Sequence, residues 1–201
     1  MKTIGITGGI GSGKTKILMY LNFSYNCKVI IADEIAHIVK EPGQLCYEAL
    51  VELLGVEILD AEGYIDKEKM SELIFSDSML LKKVNALIHP AVKTYIRTMI
   101  AQEKEKEELD FLFIEAALLI EDGYVDILDE LWYIYTEETV RKKRLVESRG
   151  FSEEKMKAIM QEQLSDGEFR KYCSVVIDNS KTLEYTYQQI DKKLGDYLWQ
   201  K

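Results

Sequence analysis

Between an apolar stretch, Thr3–Thr7, and a helix-forming run that begins at Lys14 lies Gly8-Gly9-Ile10-Gly11-Ser12-Gly13-Lys14-Thr15. No other segment restricts the chain as much. Its glycines allow successive backbone N–H groups to turn inward around an anion, because no Cβ obstructs the turn. The spacing G-x-x-x-x-G-K-[ST] sets Lys14 where its ammonium reaches β- and γ-phosphates and sets the Thr15 hydroxyl where it can ligate Mg²⁺. The helix N-terminus adds partial positive charge. A strand before the loop and an amphipathic helix from Lys14 to about Phe23 are therefore expected, with a nucleoside triphosphate as ligand.

Composition limits where that ligand can be held. The formal charge is −9, which opposes a sequence-independent grip on nucleic acid, since that needs clustered Lys and Arg. No nucleic-acid partner is expected, and the anionic ligand requires a local site. The start, Met1 to Ile6, reaches glycine after a few apolar residues and lacks a signal-peptide core. The most apolar segment, Phe111–Ile120, contains Glu115 and is shorter than the roughly 20 residues a membrane helix needs. Cys27, Cys46 and Cys173 lie far apart with no C-x-x-C pair, a usage that suits reduced, mostly buried thiols. A soluble cytoplasmic protein with no membrane partner is the expectation.

Short Ile- and Val-rich runs recur at Thr3–Thr7, Lys28–Ala32, Phe111–Ile114, Leu131–Tyr135 and Val175–Ile177, with helical stretches between them. Such alternation predicts an α/β fold with a parallel sheet covered on both faces, its ligand beyond the carboxyl ends of the strands. Residues 34–108 form a long insertion with helical spacing. Leu45, Ala49, Leu53, Leu73, Phe75, Leu80, Leu81, Val84, Leu87 and Ile88 read as its buried faces, and it is assigned to acceptor binding. The charge run Glu103–Glu108 reads as a solvated helix end. A second helical segment, Thr136–Tyr172, carries Arg141, Lys142, Lys143, Arg144 and Arg149, with Thr136 and Ser152 as expected helix caps. It reads either as a phosphate lid or as a charged face toward water. The expected layout is one domain: a three-layer core over 1–33, 109–136 and 173–201, a helical acceptor-binding part over 34–108 and a helical lid over 137–172.

The function classes then narrow. No N-K-x-D guanine-reading motif occurs, and Glu115 after Phe111–Ile114 is the nearest substitute for a motor's Walker B acid. A small-molecule kinase leads. Its acceptor hydroxyl requires a carboxylate at a strand end to align it or take its proton. Asp33 follows the second expected strand and fits that role, although it could equally cap a helix beginning at Glu34.

Five separated segments, "GITGGIGSGKT", "ADEIAHIVKEPG", "LIHP", "ALLIE" and "VIDN", resemble, in order, characteristic segments of the dephospho-coenzyme A kinase family. The resemblance implies a P-loop kinase fold and transfer of the γ-phosphoryl of ATP to the ribose 3′-hydroxyl of dephospho-coenzyme A. It makes Gly11, Ser12, Gly13, Lys14, Thr15 and Lys16 the ATP-phosphate loop and Asp33 the catalytic aspartate. His89-Pro90 match a His-Pro pair of the acceptor-binding part, although His89 alone reads equally as a packed or capping histidine. Arg144 matches the first lid arginine and Gln163 a lid-proximal glutamine. Asp178-Asn179 match the end of the last strand, near the expected adenine, where a plain turn is the other reading. Ile31 stands where the family has a first aspartate, Ala117 where it has proline, and Cys173-Ser174 where it has Ala-Asp. Ser148 occupies the second lid-arginine position, with Arg149 beside it as the expected substitute. Another P-loop kinase, acting on a nucleoside monophosphate or a sugar acid, and a non-catalytic nucleotide-binding regulator are the competing readings.

Overall fold

The computed structural model describes residues 1–75 and 77–199. They fall into two compact units, one comprising Met1–Val29 and the chain from Glu108 onward, the other Ile30–Glu107. Strands β1 (Lys2–Thr7), β2 (Cys27–Ile31), β3 (Phe111–Glu115), β4 (Glu130–Tyr135) and β5 (Val175–Asp178) form a parallel sheet in the order β2-β3-β1-β4-β5. Each observed strand overlaps the expected one to within a residue at either end. β1 pairs with β3 on one side and β4 on the other, and β4 pairs with β5. The chain thus runs to one side of β1 for two strands and to the other side for two more. The carboxyl end of β1 is the switch point of the sheet, where ligands of such folds bind.

The sheet is hydrophobic because it is covered. Ile4 and Ile6 of β1, Phe111 and Phe113 of β3 and Trp132 and Ile134 of β4 pack with Ile17, Leu18 and Leu21 of helix α1 (Lys14–Ser24). Ile190 and Leu194 of the last helix, Leu183–Leu198, complete that layer. Buried aromatic rings in edge-to-face contact, such as Phe113 with Trp132, contribute more than their area alone. A second helical group follows β4: α6 (Glu138–Arg149), α7 (Glu153–Gln161) and α8 (Asp166–Tyr172). Ser152 caps α7 as expected, accepting from the Lys155 N–H, and Ser165 with Glu168 forms a capping box on α8. Thr136 does not cap α6. Glu137 holds that position without a side-chain bond, and the Thr136 hydroxyl is used elsewhere, as described below.

The other unit contains α2 (Ala32–Ile38), α3 (Tyr47–Leu54), α4 (Lys67–Phe75) and the 29-residue α5 (Ser78–Lys106). Asp77 caps α5, its carboxylate accepting from the N–H groups of Met79 and Leu80. Val84, Val92, Ile96 and Ile100 form the buried stripe of α5, against which α2, α3 and α4 pack. Several expected core residues face outward: Leu45, Leu73, Phe75 and Leu81 are exposed, and Cys46, Leu50, Leu54 and Met70 are buried instead. Around α3 the error is one of register. Positions 45, 49, 53 and positions 46, 50, 54 both read apolar at the same spacing, and the second stripe buries two leucines. Glu103 also departs from the expected solvated helix end: it is buried and pairs with Lys106 at 3.0 Å.

Candidate active site

The switch point and the glycine-rich loop coincide. β1 ends at Thr7 and α1 starts at Lys14, so the intervening residues turn back over the strand end. Gly13, the residue before α1, adopts φ 89° and ψ 19°, a left-handed conformation that costs an ordinary residue about 1–2 kcal/mol. Its missing Cβ also leaves room for a neighbour, since a methyl there would lie 2.5 Å from Nδ2 of Asn179. α1 has no side-chain cap and no acid in its first turn. Its leading N–H groups therefore keep the anion-binding character of an uncapped helix start.

Lys14 projects back along the loop. Its Nζ donates to the carbonyl of Gly8 at 2.6 Å and pairs with Glu115, the last residue of β3, at 3.7 Å. Thr15 and Lys16 are exposed on the first turn. The loop is fixed from behind through one carbonyl. Ser12 is buried, and its oxygen accepts from Asn179 Nδ2 at 2.7 Å, Thr136 Oγ1 at 3.0 Å and Arg144 Nη1 at 3.5 Å. These donors come from beyond β5, the end of β4 and α6. Asn179 is itself oriented by Thr186, whose hydroxyl donates to Oδ1 at 2.9 Å. Arg144 is anchored further by Nη2, which donates to the Asn179 carbonyl at 2.9 Å. Asp178 makes the turn after the strand, accepting from the Ser180 N–H at 2.8 Å; its neighbour Asn179 supports the loop.

α6 lies against the loop. A methyl at Gly11 would meet the Arg141 carbonyl at 3.0 Å and Leu145 Cγ at 3.1 Å, and one at Gly9 would overlap Nη1 of Arg141. Arg141 Nε is buried with no hydrogen-bond acceptor among the described residues. Gln163, beyond α7, accepts from the Ile10 N–H at 2.9 Å. Arg149 is placed differently. It is the last residue of α6, exposed, with its guanidinium 6.0 Å from the Phe151 ring.

The structure therefore gathers Gly11–Lys16, Arg144, Gln163 and Asn179 at one place, brings Arg141 of the basic run expected as a lid to the same loop, and adds Thr136, which the sequence reads as a helix cap. A usable signal for Arg141 existed, because Arg141, Arg144 and Leu145 stand at i, i+3 and i+4 on one helical face. Asp33 and His89 belong to the other unit. Asp33 is exposed in the first turn of α2, two residues past the end of β2. The N-cap of α2 is Ile31, so Asp33 does not cap a helix starting at Glu34; as a first-turn acid it meets the positive end of the helix dipole. His89 is half-buried in the middle of α5, before Pro90.

The loop fits a phosphate chain: left-handed glycines at 11 and 13, an uncapped helix start, an ammonium beside them and a buried guanidinium nitrogen without an acceptor among the described residues. No cluster of three His, Cys, Asp or Glu that could hold a metal occurs among the described residues. A Mg²⁺ ion here would be held through Thr15 and phosphate oxygens, as such ions commonly are.

Comparison with known proteins places the chain in context. A model of the dephospho-CoA kinase family matches residues 2–184. A dephospho-CoA kinase from Carboxydothermus hydrogenoformans is 35% identical over 199 residues, covering 98% of this chain and 94% of the relative. One from Streptococcus mutans is 36% identical over 193 residues, covering 96% of each. Among solved structures, dephospho-CoA kinase from Campylobacter jejuni superposes with a TM-score of 0.71 at 25% identity, covering 98% of this chain and 97% of that one.

Proposed function

The chain belongs to the dephospho-CoA kinase family, and from that premise we propose how its residues divide the work of moving the γ-phosphoryl of ATP to the ribose 3′-hydroxyl of dephospho-coenzyme A. The observation that carries the reading is the built loop. A triphosphate cradle sits at the switch point of the sheet, its backbone fixed by three side chains on the Ser12 carbonyl.

Phosphoryl transfer asks little covalent help of a protein; it needs alignment and charge stabilisation. The loop Gly11–Lys16 binds the phosphates, with the amides of Gly11, Gly13, Lys14 and Thr15 donating to phosphate oxygens while those of Ser12 and Lys16 brace the loop by donating to the carbonyls of Gly9 and Gly13 at 3.1 Å. Lys14, poised by Gly8 and Glu115, neutralises the β- and γ-phosphates. Arg144 brings a second positive charge beside Gly13, where its Nη1 would lie 3.4 Å from a Cβ. Thr15 would hold Mg²⁺, which when bound would supply positive charge beside the phosphoryl oxygens. Arg149, exposed at the end of α6, is assigned a peripheral electrostatic contribution to nucleotide binding. Asp33, just past a strand end, aligns the acceptor hydroxyl and takes its proton. His89, on the long helix of the other unit, contributes to acceptor binding. Closure of α6–α8 over the nucleotide excludes water and limits wasteful hydrolysis. The free thiols suit the reducing cytoplasm, to which the reaction is assigned.

ADP release from ATP and Mg²⁺ tests this directly, with dephospho-coenzyme A set against nucleoside monophosphates, gluconate and no acceptor. Stimulation by dephospho-coenzyme A alone is expected, and equal rates with every acceptor would refute it. Asp33→Asn is expected to cut kcat at least about a hundredfold with nucleotide affinity nearly intact. Wild-type turnover in that variant removes Asp33 from the chemistry.

A further inference from the structure

The lid arginines occupy different places relative to the loop. Arg144 directs both terminal nitrogens at backbone carbonyls behind it, those of Ser12 and Asn179. Arg149 stands eight residues beyond Arg141 on the same helix, roughly 12 Å along the axis, and faces Phe151. Arg141 lies with its guanidinium against the loop at Gly9. Its Nη1 lies where a Gly9 methyl would be, and its Nε is buried without an acceptor among the described residues. Lys14 marks which end of the cradle this is. Its Nζ reaches the β- and γ-phosphates in loops of this pattern, and here it lies 2.6 Å from the carbonyl of Gly8, next to Gly9. Arg141 therefore stands at the γ end.

The geometry points to Arg141 as the lid side chain that contacts the β- and γ-phosphates of ATP, with Arg144 serving to position the loop from behind. This rests on the kinase reading and refines it. A planar guanidinium presents several donors in a fixed fork and suits phosphate oxygens better than an ammonium. A buried nitrogen lacking an acceptor is costly, and a phosphate oxygen supplies the acceptor. Gly9 then has a steric reason to be glycine: its backbone is not left-handed, so alanine would cause no φ strain, but the methyl would displace the guanidinium.

The experiment compares Arg141→Ala, Arg141→Lys, Gly9→Ala, Arg149→Ala and, as a charge control on the same helix, Lys143→Ala. Lys143 is exposed and pairs only loosely with Glu147, at 3.9 Å. Affinities for adenylyl imidodiphosphate, ADP and AMP are measured beside kcat. The expected result for Arg141→Ala is a kcat fall of about a hundredfold and loss of the triphosphate-over-diphosphate preference, with AMP affinity unchanged. Arg141→Lys should recover only part of this, and Lys143→Ala should match the wild type. Gly9→Ala changes no residue of α6 and should lose the same preference, so the proposal stays testable if Arg141→Ala melts early. Retention of kcat and of the preference within twofold in Arg141→Ala, or the full loss in Arg149→Ala instead, overturns it. Failure of the wild type to phosphorylate dephospho-coenzyme A would refute the function, while the nucleotide affinities would still decide the role of Arg141.

Discussion

The Ser12 carbonyl offers a quantitative test of how the loop is held. Asn179→Ala removes the 2.7 Å bond from Nδ2, but it strands neither partner. Ser12 keeps Thr136 Oγ1 at 3.0 Å and Arg144 at 3.5 Å, and Thr186 still reaches the carbonyls of Thr182 at 3.2 Å and Asp178 at 3.3 Å. One neutral buried hydrogen bond contributes about 1 kcal/mol net, and the small void left by the amide adds about as much. The expected loss is about 2 kcal/mol. Thr136→Val keeps the side-chain shape, removes the second short donor and should cost about 1 kcal/mol. Combined, the two changes leave the carbonyl only the long Arg144 contact, so the double variant should exceed the sum by about 1–2 kcal/mol. Urea denaturation at constant slope reads the stabilities, and kcat/KM for ATP, expected to fall about tenfold in Asn179→Ala, reads the loop. Strict additivity, or an Asn179→Ala protein within about 0.5 kcal/mol of wild type, would refute the reasoning.

Two further perturbations reach other parts of the chain. Glu130 accepts hydrogen bonds from Trp132 Nε1 at 2.9 Å and from the Tyr197 hydroxyl, and pairs with Lys2 at 3.0 Å. Burial pushes its carboxyl upward, but these partners outweigh it and hold it below the usual range. A depressed folded value means that the stabilisation is fully present above the unfolded pKa of about 4.3 and is lost as pH falls through the folded value. Glu130→Gln should cost about 1–2 kcal/mol at pH 7 and converge with wild type in acid; parallel stability curves would contradict this. Burial pushes the thiols of Cys27 to about 11 and Cys173 to about 12 and raises that of Cys46. Alkylation at pH 8 should therefore be roughly a hundredfold slower in the native protein than in urea, and fast native labelling of Cys27 would exclude that picture.

Local patterns in the sequence carry much of this fold. The glycine loop, the five strands and the Ser152 cap all follow from signals a few residues long, and the structure reproduces them. What the sequence hides is register and distance. The apolar stripe around α3 reads equally well one residue earlier, so only tertiary packing chooses it. Thr136 carries the composition of a helix cap, yet its hydroxyl bonds a buried carbonyl 124 residues away, which no local rule anticipates. Arg149 lies beside the family position for a lid arginine; α6 meets the loop through Arg141, Arg144 and Leu145, and Arg149 ends the helix one turn further on, a spacing that only packing reveals. Arg141 was visible as a basic residue, and only three-dimensional packing shows it against Gly9.

One contact bears on how the protein is made. The carbonyl of residue 12 and the amide that holds it are separated by 167 positions, and Thr136 and Arg144 also emerge long after the glycines have left the ribosome. A nascent chain released before Asn179 would contain every residue of the phosphate loop and still lack the clasp that sets its shape. Nucleotide affinity should therefore arise late in synthesis, and abruptly, once the final strand has been added to the edge of the sheet.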